Sequence, residues 1–169
     1  MRLISFHFQG QERVGALTAK GVVDLTDVLP GHPSTMIDLL NGGAQMLALA
    51  RQSIDRAGQF MPLSDIRLLA PIPRPGKFLG AGGNFQSHID EVAHLGFTRP
   101  KHPIWFNKQI TCVTGPYDPI YRPRDSVELD YEGEMGIVIG KRCRRVSEAQ
   151  ALDMVAGYVV CNDVSIRGW

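Results

Sequence analysis

The sequence predicts an α+β protein, in which short strands and capped helices occupy different stretches of the chain. In the first seventy residues, short segments in which apolar and polar residues alternate are bounded by glycines, and two segments with helix start and stop signals follow them. From Gln109 onward, apolar runs separated by Gly and Pro turns surround a single helical segment, Ser147 to Ala156. Hydrophobic residues make up 44% of the chain, which is enough for a buried core.

The N-terminal elements are predicted to be three short strands followed by two helices. Ser34 or Thr35 can cap the first helix, which runs through Leu40 and is broken by a glycine pair. None of these segments contains a candidate for chemistry. The predicted strands are Arg2–Phe8, Arg13–Thr18 and Val22–Leu25, and the second helix is Ala44–Arg56.

A proline-rich segment, Pro71 to Gly76, is the predicted domain boundary, because prolines lack amide donors and restrict the residues before them. The sequence therefore divides into a small leading domain, residues 1–70, and a second domain, residues 71–169. Beyond the boundary we expect a short strand, a turn at Gly80–Gly83 and a helix from about Phe85 to Leu95. The glycines of this turn lack the spacing of a phosphate-binding motif.

Bulk composition excludes several classes of protein. The formal net charge is +1, without a basic stripe, so nucleic acid is not an expected partner. No stretch is apolar and long enough to span a membrane or to act as a signal peptide, so we expect a cytoplasmic protein without membrane contact. The three cysteines lack the spacing of a disulfide framework or a zinc site.

The main candidates for chemistry lie in the run from Glu128 to Ile139, which is predicted to be one long strand. Strand side chains alternate between faces, so one face is acidic and the other, apolar face is expected to join the core. The acidic face carries Glu128, Asp130, Glu132 and Glu134. From periodicity alone, a solvated edge strand is the favoured interpretation. No Lys or Arg is interleaved to relieve the repulsion, so a bound cation is the alternative.

Carboxylates without Cys or His favour Mg²⁺, Mn²⁺ or Ca²⁺ over zinc, and an enzyme needs the remaining coordination positions open. Asp163 offers a third carboxylate at the end of the predicted strand Tyr158–Asn162. The intervening helix can bring this strand beside the first one. By itself, the pair Asn162 and Asp163 fits an ordinary strand-ending turn equally well.

A second candidate is the pair His88 and Glu91, which are three residues apart and therefore neighbours on a helix surface. A carboxylate raises the basicity of an adjacent imidazole and fixes its tautomer, as a general base for water requires. A solvent-exposed pair without function is the more common meaning of this spacing.

These residues occur in ordered motifs along the chain. The motifs are Asn84–Glu91, Phe106-Asn107-Lys108, Leu129–Glu134, Ile139-Gly140-Lys141, Ala156-Gly157-Tyr158 and Asn162–Arg167. In this order they resemble the fumarylacetoacetate hydrolase family. The resemblance covers about a hundred residues, from Lys77 to Arg167, and the N-terminal seventy residues are loosely similar to the leading domain of many members.

The resemblance implies roles for the residues that match these motifs. Glu132, Glu134 and Asp163 correspond to the metal-binding carboxylates, and His88 with Glu91 to the water-activating dyad. Lys108 matches a lysine near the substrate. The implied architecture is a mixed β-roll, incomplete in this chain. The implied protein is a homodimer that uses Mg²⁺ or Mn²⁺ on a small 2-oxo or 1,3-dicarbonyl acid.

The resemblance also has departures. Ile166 and Gly168 replace residues of the family pattern near the last motif, and Ala81 stands where the founding hydrolase has a metal-binding Asp. Members extend well past position 169, so the chain is expected to correspond to an N-terminal portion. Hydrolysis of a C–C bond is the leading expectation. Isomerisation or decarboxylation of an unsaturated 2-oxo dicarboxylic acid and a non-catalytic, truncated family member are the alternatives.

Overall fold

The computed structural model describes residues 1–96 and 98–168 and confirms the α+β class. One compact unit consists of residues 1–72 together with the chain from residue 115 onward, and the other consists of residues 73–114. Within the described residues all strand pairs are antiparallel, and no helix is long and apolar enough to cross a membrane. The division into domains of residues 1–70 and 71–169 stays a prediction.

The leading sheet is four-stranded, with the order β3-β2-β1-β4. Its first three strands lie where the sequence predicts them, within two residues at each end. Gly10 and Gly21 have positive φ angles of 79° and 131° at the turns between them, a conformation that favours glycine. The strands are β1 (Arg2–Phe8), β2 (Gln11–Thr18), β3 (Gly21–Asp24) and β4 (Arg67–Leu68).

Two helices, α1 (Met36–Asn41) and α2 (Gly43–Asp55), follow strand β3 as predicted, and β4 comes after them in the chain. Thr35 rather than Ser34 is the N-cap of α1, and Asp38 completes a reciprocal capping box. The buried cluster of the chain lies between these helices and the sheet. Its fully buried members include Val14, Leu25, Leu39 and Ala50.

In the unit of residues 73–114, strands β5 (Leu79–Gly82) and β6 (Ile104–Asn107) form a ribbon, and α3 (Gln86–Val92) continues into a 3-10 turn at Ala93–Leu95. The predicted helix is therefore confirmed, but the predicted turn at Gly80–Gly83 is wrong. Gly80 belongs to β5, where it pairs with Phe106, and the Phe106 ring lies where a β-carbon at this position would be, so only glycine fits. Only Gly83, with φ of 61°, turns the chain.

The remaining strands are β7 (Leu129–Asp130), β8 (Gly133–Ile139), β9 (Val155–Asn162) and β10 (Ser165–Ile166). The helix predicted from Ser147 to Ala156 is wrong in length. Only α4 (Glu148–Ala151) is α-helical, and a 3-10 turn at Leu152–Met154 leads into β9. Pairing of Val155 with Ile139 extends the strand and overrides the helical periodicity.

Asp118 links the chain after residue 115 to strand β4. Arg67 donates from Nη2 to Asp118 Oδ1 at 2.6 Å, and the Gly115 amide donates to Oδ2 at 2.7 Å. Both hydrogen bonds favour the ionised carboxylate, with that from Arg67 the larger influence, and lower the pKa of Asp118 below its ordinary value of 3.8. Ionisation of Asp118 therefore stabilises the folded chain.

We expect Asp118→Asn to be less stable than the wild-type protein at neutral pH. Because the folded-state pKa is depressed, the ionised carboxylate stabilises the fold above the unfolded pKa, and this contribution is lost as pH falls through the folded pKa. The difference in unfolding free energy should therefore shrink below about pH 4. Urea titrations across this pH range measure the unfolding free energies, and Asp153→Asn is the control for the change in net charge. If wild type and Asp118→Asn differ in unfolding free energy by the same amount at every pH, ionised Asp118 does not stabilise the fold.

Candidate metal centre

Strands β7 and β8 pair with β10 and β9 in one continuous register. Asp130 faces Ser165, and Gly133 faces Asn162, so three positions separate the two pairs on each strand. The gap is bridged by the Asp163 amide, which donates to the Glu132 carbonyl at 2.9 Å. At the far end, Ala156 forms a bulge where the register shifts between Val138 and Ile139. The two segments therefore form a single long ribbon, the site ribbon, residues 128–139 and 155–167.

This register places the three predicted metal-binding carboxylates on the same face. Glu132 lies opposite Asp163, and Glu134 lies opposite Cys161, two residues along. Directly opposed residues have β-carbons about 4.5–5.5 Å apart, and diagonal neighbours about 7–8 Å. The backbone thus brings together Glu132, Glu134 and Asp163 from two distant parts of the sequence.

Two details of the predicted strand need correction. Tyr131 and Glu132 interrupt the single strand predicted from Glu128 to Ile139, although the alternation of faces persists. The apolar face, expected to join the core, is exposed: Ile137 retains 53% and Val160 93% of their accessible surface. The acidic face is the more covered, with Glu132 and Glu134 both half-buried. Alternation fixes which residues share a face, whereas burial depends on what packs against each face.

Glu132 is held by two residues, Asn162 and Arg167, that belong to a matching motif but had no predicted role. Its backbone amide donates to the Asn162 side-chain oxygen at 3.0 Å. Its carboxylate lies 3.0 Å from Arg167 Nη1, while Nε of the same guanidinium donates to Asp130 at 3.0 Å. The hydrogen bond to Asp130 and the charge of Glu132 raise the pKa of Arg167. Arg167 therefore bridges two carboxylates of the acidic face.

Glu134 and Asp163 share an electrostatic neighbour in Cys161. Burial raises the pKa of the Cys161 thiol, and the charges of Glu134 and Asp163 raise it further. The thiol therefore remains protonated at neutral pH beside the two carboxylates. Cys161 lies between them on the face of the site ribbon.

Hard carboxylate oxygens on one strand face suit Mg²⁺ or Mn²⁺ as donors. Across residues 1–96 and 98–168, however, no three His, Cys, Asp or Glu side chains converge closely enough to hold an ion. The backbone positions of Glu132, Glu134 and Asp163 are close enough for all three to bind one ion. The side chain of Glu132, however, is turned towards Arg167. Convergence requires rotation of side chains rather than a change of register.

The second set of predicted residues lies in the unit of residues 73–114. His88 and Glu91 are both on α3, with Nδ1 of the imidazole 3.6 Å from the Glu91 carboxylate. Their side chains keep 60% and 77% of their accessible surface. Lys108 follows β6, is half-buried, and its amide donates to the Phe78 carbonyl at 2.9 Å. The helix thus brings the His–Glu pair together, within reach of solvent.

A family model described as "Fumarylacetoacetate (FAA) hydrolase C-terminal" matches residues 77–169. This is more than half of the chain, and it includes every predicted site residue. The chain belongs to the fumarylacetoacetate hydrolase family.

Relatives with names and structures are similar over nearly the whole chain. The mitochondrial oxaloacetate tautomerase Fahd2a of Rattus norvegicus is 38% identical over 88% of this chain and 47% of its own length. The chain thus spans about half the length of that relative. A fumarylacetoacetate hydrolase from Exiguobacterium antarcticum is 31% identical, with a TM-score of 0.78 over 99% of this chain and 57% of its own.

A third similar protein is the maleylpyruvate hydrolase of Sphingobium sp. SYK-6, whose structure contains manganese(II) and pyruvate. It is 26% identical, with a TM-score of 0.79 over 100% of this chain and 60% of its own. The named relatives are therefore enzymes, and at least one of them binds a divalent metal together with a 2-oxo acid.

We expect Asn162→Ala to expose the Glu132 amide without breaking the ribbon. The variant removes one hydrogen bond, which stabilises a local structure by about 1 kcal/mol, so exchange of the Glu132 amide proton should accelerate roughly five- to tenfold. The Asp163 amide, which donates to the Glu132 carbonyl, is the internal control. Hydrogen exchange followed by NMR measures both. Unchanged exchange at Glu132 would mean that Asn162 does not hold this backbone.

Proposed function

We propose that the protein is a divalent-metal-dependent enzyme that hydrolyses a C–C bond in a small 2-oxo or 1,3-dicarbonyl acid. One observation carries this proposal: the register of the site ribbon places Glu132 opposite Asp163 and Glu134 on the same face. Three hard ligands on adjacent strands leave coordination positions for a substrate. The manganese and pyruvate found in a structural relative support the same chemistry.

In this proposal, Glu132, Glu134 and Asp163 hold Mg²⁺ or Mn²⁺. The bound ion would act as a Lewis acid on the carboxylate and 2-oxo oxygens of the substrate. Backbone pairing, rather than a flexible loop, would position these three residues, so the spacing of their backbone is set before an ion binds and only their side chains have to rotate.

His88 is the proposed general base, and Glu91 orients it. With Nδ1 facing the Glu91 carboxylate, Nε2 can take a proton from water and so generate the nucleophile. The exposure of the pair gives it access to that water. Lys108 is proposed to counter the negative charge that develops on the attacked carbonyl oxygen. These roles follow from the family motifs and the chemistry of the side chains.

A second candidate is isomerisation of a 2-oxo acid, with tautomerisation as its simplest form, or decarboxylation. The names of the oxaloacetate tautomerases, at 36–38% identity, favour it. Such a reaction uses the same carboxylates and needs no attacking water, so it makes no demand on His88 as a base for hydrolysis. A homodimer in the cytoplasm, without nucleic acid or membrane as a partner, completes the proposal.

We expect Glu132→Gln to weaken Mn²⁺ binding by at least roughly tenfold, because a neutral amide replaces an anionic ligand. Glu128→Gln is the matched control, since it makes the same change on the same face outside the proposed ligand set. Isothermal titration with Mn²⁺ measures both. Equal affinities for the two variants would contradict the ligand assignment and would favour a non-catalytic family member.

We expect His88→Ala to reduce hydrolysis of an acylpyruvate by about 10²–10⁴-fold, the usual contribution of a general base. Its Mn²⁺ affinity should stay within about twofold of the wild-type value, since His88 is outside the proposed set of metal ligands. Glu91→Gln should lower the rate less. Full hydrolysis by His88→Ala would exclude the base assignment. If the wild-type protein tautomerises oxaloacetate but does not hydrolyse acylpyruvates, and His88→Ala keeps the tautomerase activity, the second candidate is favoured.

A further inference from the structure

Arg167 reaches along the site ribbon instead of across it. Its backbone lies opposite Glu128, whose carbonyl accepts from the Arg167 amide at 3.1 Å. The side chain passes over this nearest acid and contacts Asp130 and Glu132, each at 3.0 Å. A β-carbon at Gly168 would overlap the Glu128 carboxylate, so Glu128 is turned towards Gly168 instead.

The two contacts of Arg167 are not equivalent. Nε donates to Asp130, which is outside the proposed ligand set, whereas Nη1 lies against Glu132, which is inside it. The guanidinium can therefore release Glu132 and still be held by Asp130. Its side chain is 51% exposed and that of Glu132 31% exposed, and ion pairs with this exposure are weak.

We propose that Arg167 competes with the metal ion for Glu132, with Asp130 as the residue that retains the guanidinium when Glu132 turns to the metal. The proposal rests on the function proposed above, because it takes Glu132 as a ligand. Arg167 is then a positioning residue that sets the affinity for the metal. It compensates the acidic face in the way that interleaved basic residues would, and it lowers the affinity for any cation that uses Glu132.

The competition predicts that removal of the Arg167 charge tightens metal binding. A guanidinium paired with Glu132 must be displaced, and a cation close to the ion repels it. We expect Arg167→Gln to bind Mn²⁺ about three- to tenfold more tightly than the wild-type protein, an effect in the range of weak, half-exposed ion pairs. Arg167→Lys keeps the charge but loses the fork that reaches both acids, so its affinity should lie between the two.

Mn²⁺ alone is the probe, and the electron paramagnetic resonance signal of the free ion gives the affinity for each variant. Arg51→Gln, which makes the same change of charge on α2, is the control and should bind like the wild-type protein. A merely structural role for Arg167 would lower the unfolding temperature without tightening Mn²⁺ binding. Arg167→Lys keeps the positive charge and is therefore the variant least able to disturb folding. It must also bind Mn²⁺ more tightly than the wild-type protein does.

Two failures can be told apart. If the wild-type protein binds Mn²⁺ in a manner that Glu132→Gln abolishes, but both Arg167 variants bind equally or more weakly, the competition is excluded and the proposed ligands stand. If Glu132→Gln has the same affinity as the wild-type protein, the ligand assignment itself fails, and the role of Arg167 falls with it.

Discussion

The acidic face depends on one physical constraint, the antiparallel register between residues 129–138 and 157–166. The hydrogen bond from the Asp163 amide to the Glu132 carbonyl carries this register across the interruption between two short ladders. A slip of one residue would move the side chains of one strand to the opposite face and separate Glu132 from Asp163. Backbone pairing, rather than side-chain packing, therefore assembles the candidate site, while the buried cluster lies in the leading sheet and its helices.

Much of this arrangement is readable from the sequence, because alternation and capping are local signals. The first three strands, α1 and α2 lie close to their predicted bounds, and alternation identifies the shared face of Glu132 and Glu134. Asp163 was predicted from the strand that it follows. That Asp163 lies opposite Glu132 cannot be predicted without the register of the two strands, which is seen only in the paired backbone.

The predictions that failed depended on distant residues. The glycines after Lys77 resemble a turn, but pairing with residues 104–107 makes that segment a strand, and the Phe106 ring fills the space beside Gly80. The helix before β9 is cut short because Val155 pairs with Ile139. Arg167 was recognised as part of a motif, yet its bridge between Asp130 and Glu132 had no local signal. Side-chain reach along a ribbon follows from three-dimensional placement, so neither periodicity nor spacing reports it.

The bulge at Ala156 lies between the carboxylates and the connection that joins the two halves of the site ribbon. An extra residue is already absorbed there, on the side away from Glu132 and Asp163. Length changes in the connection, residues 140–154, can therefore accumulate in evolution without altering which side chains face each other at the acidic end. A deletion between Glu134 and Val138 cannot be absorbed at the bulge. It would place Glu134 and the residues beyond the deletion on opposite faces from those they now share, and so separate Glu134 from Asp163.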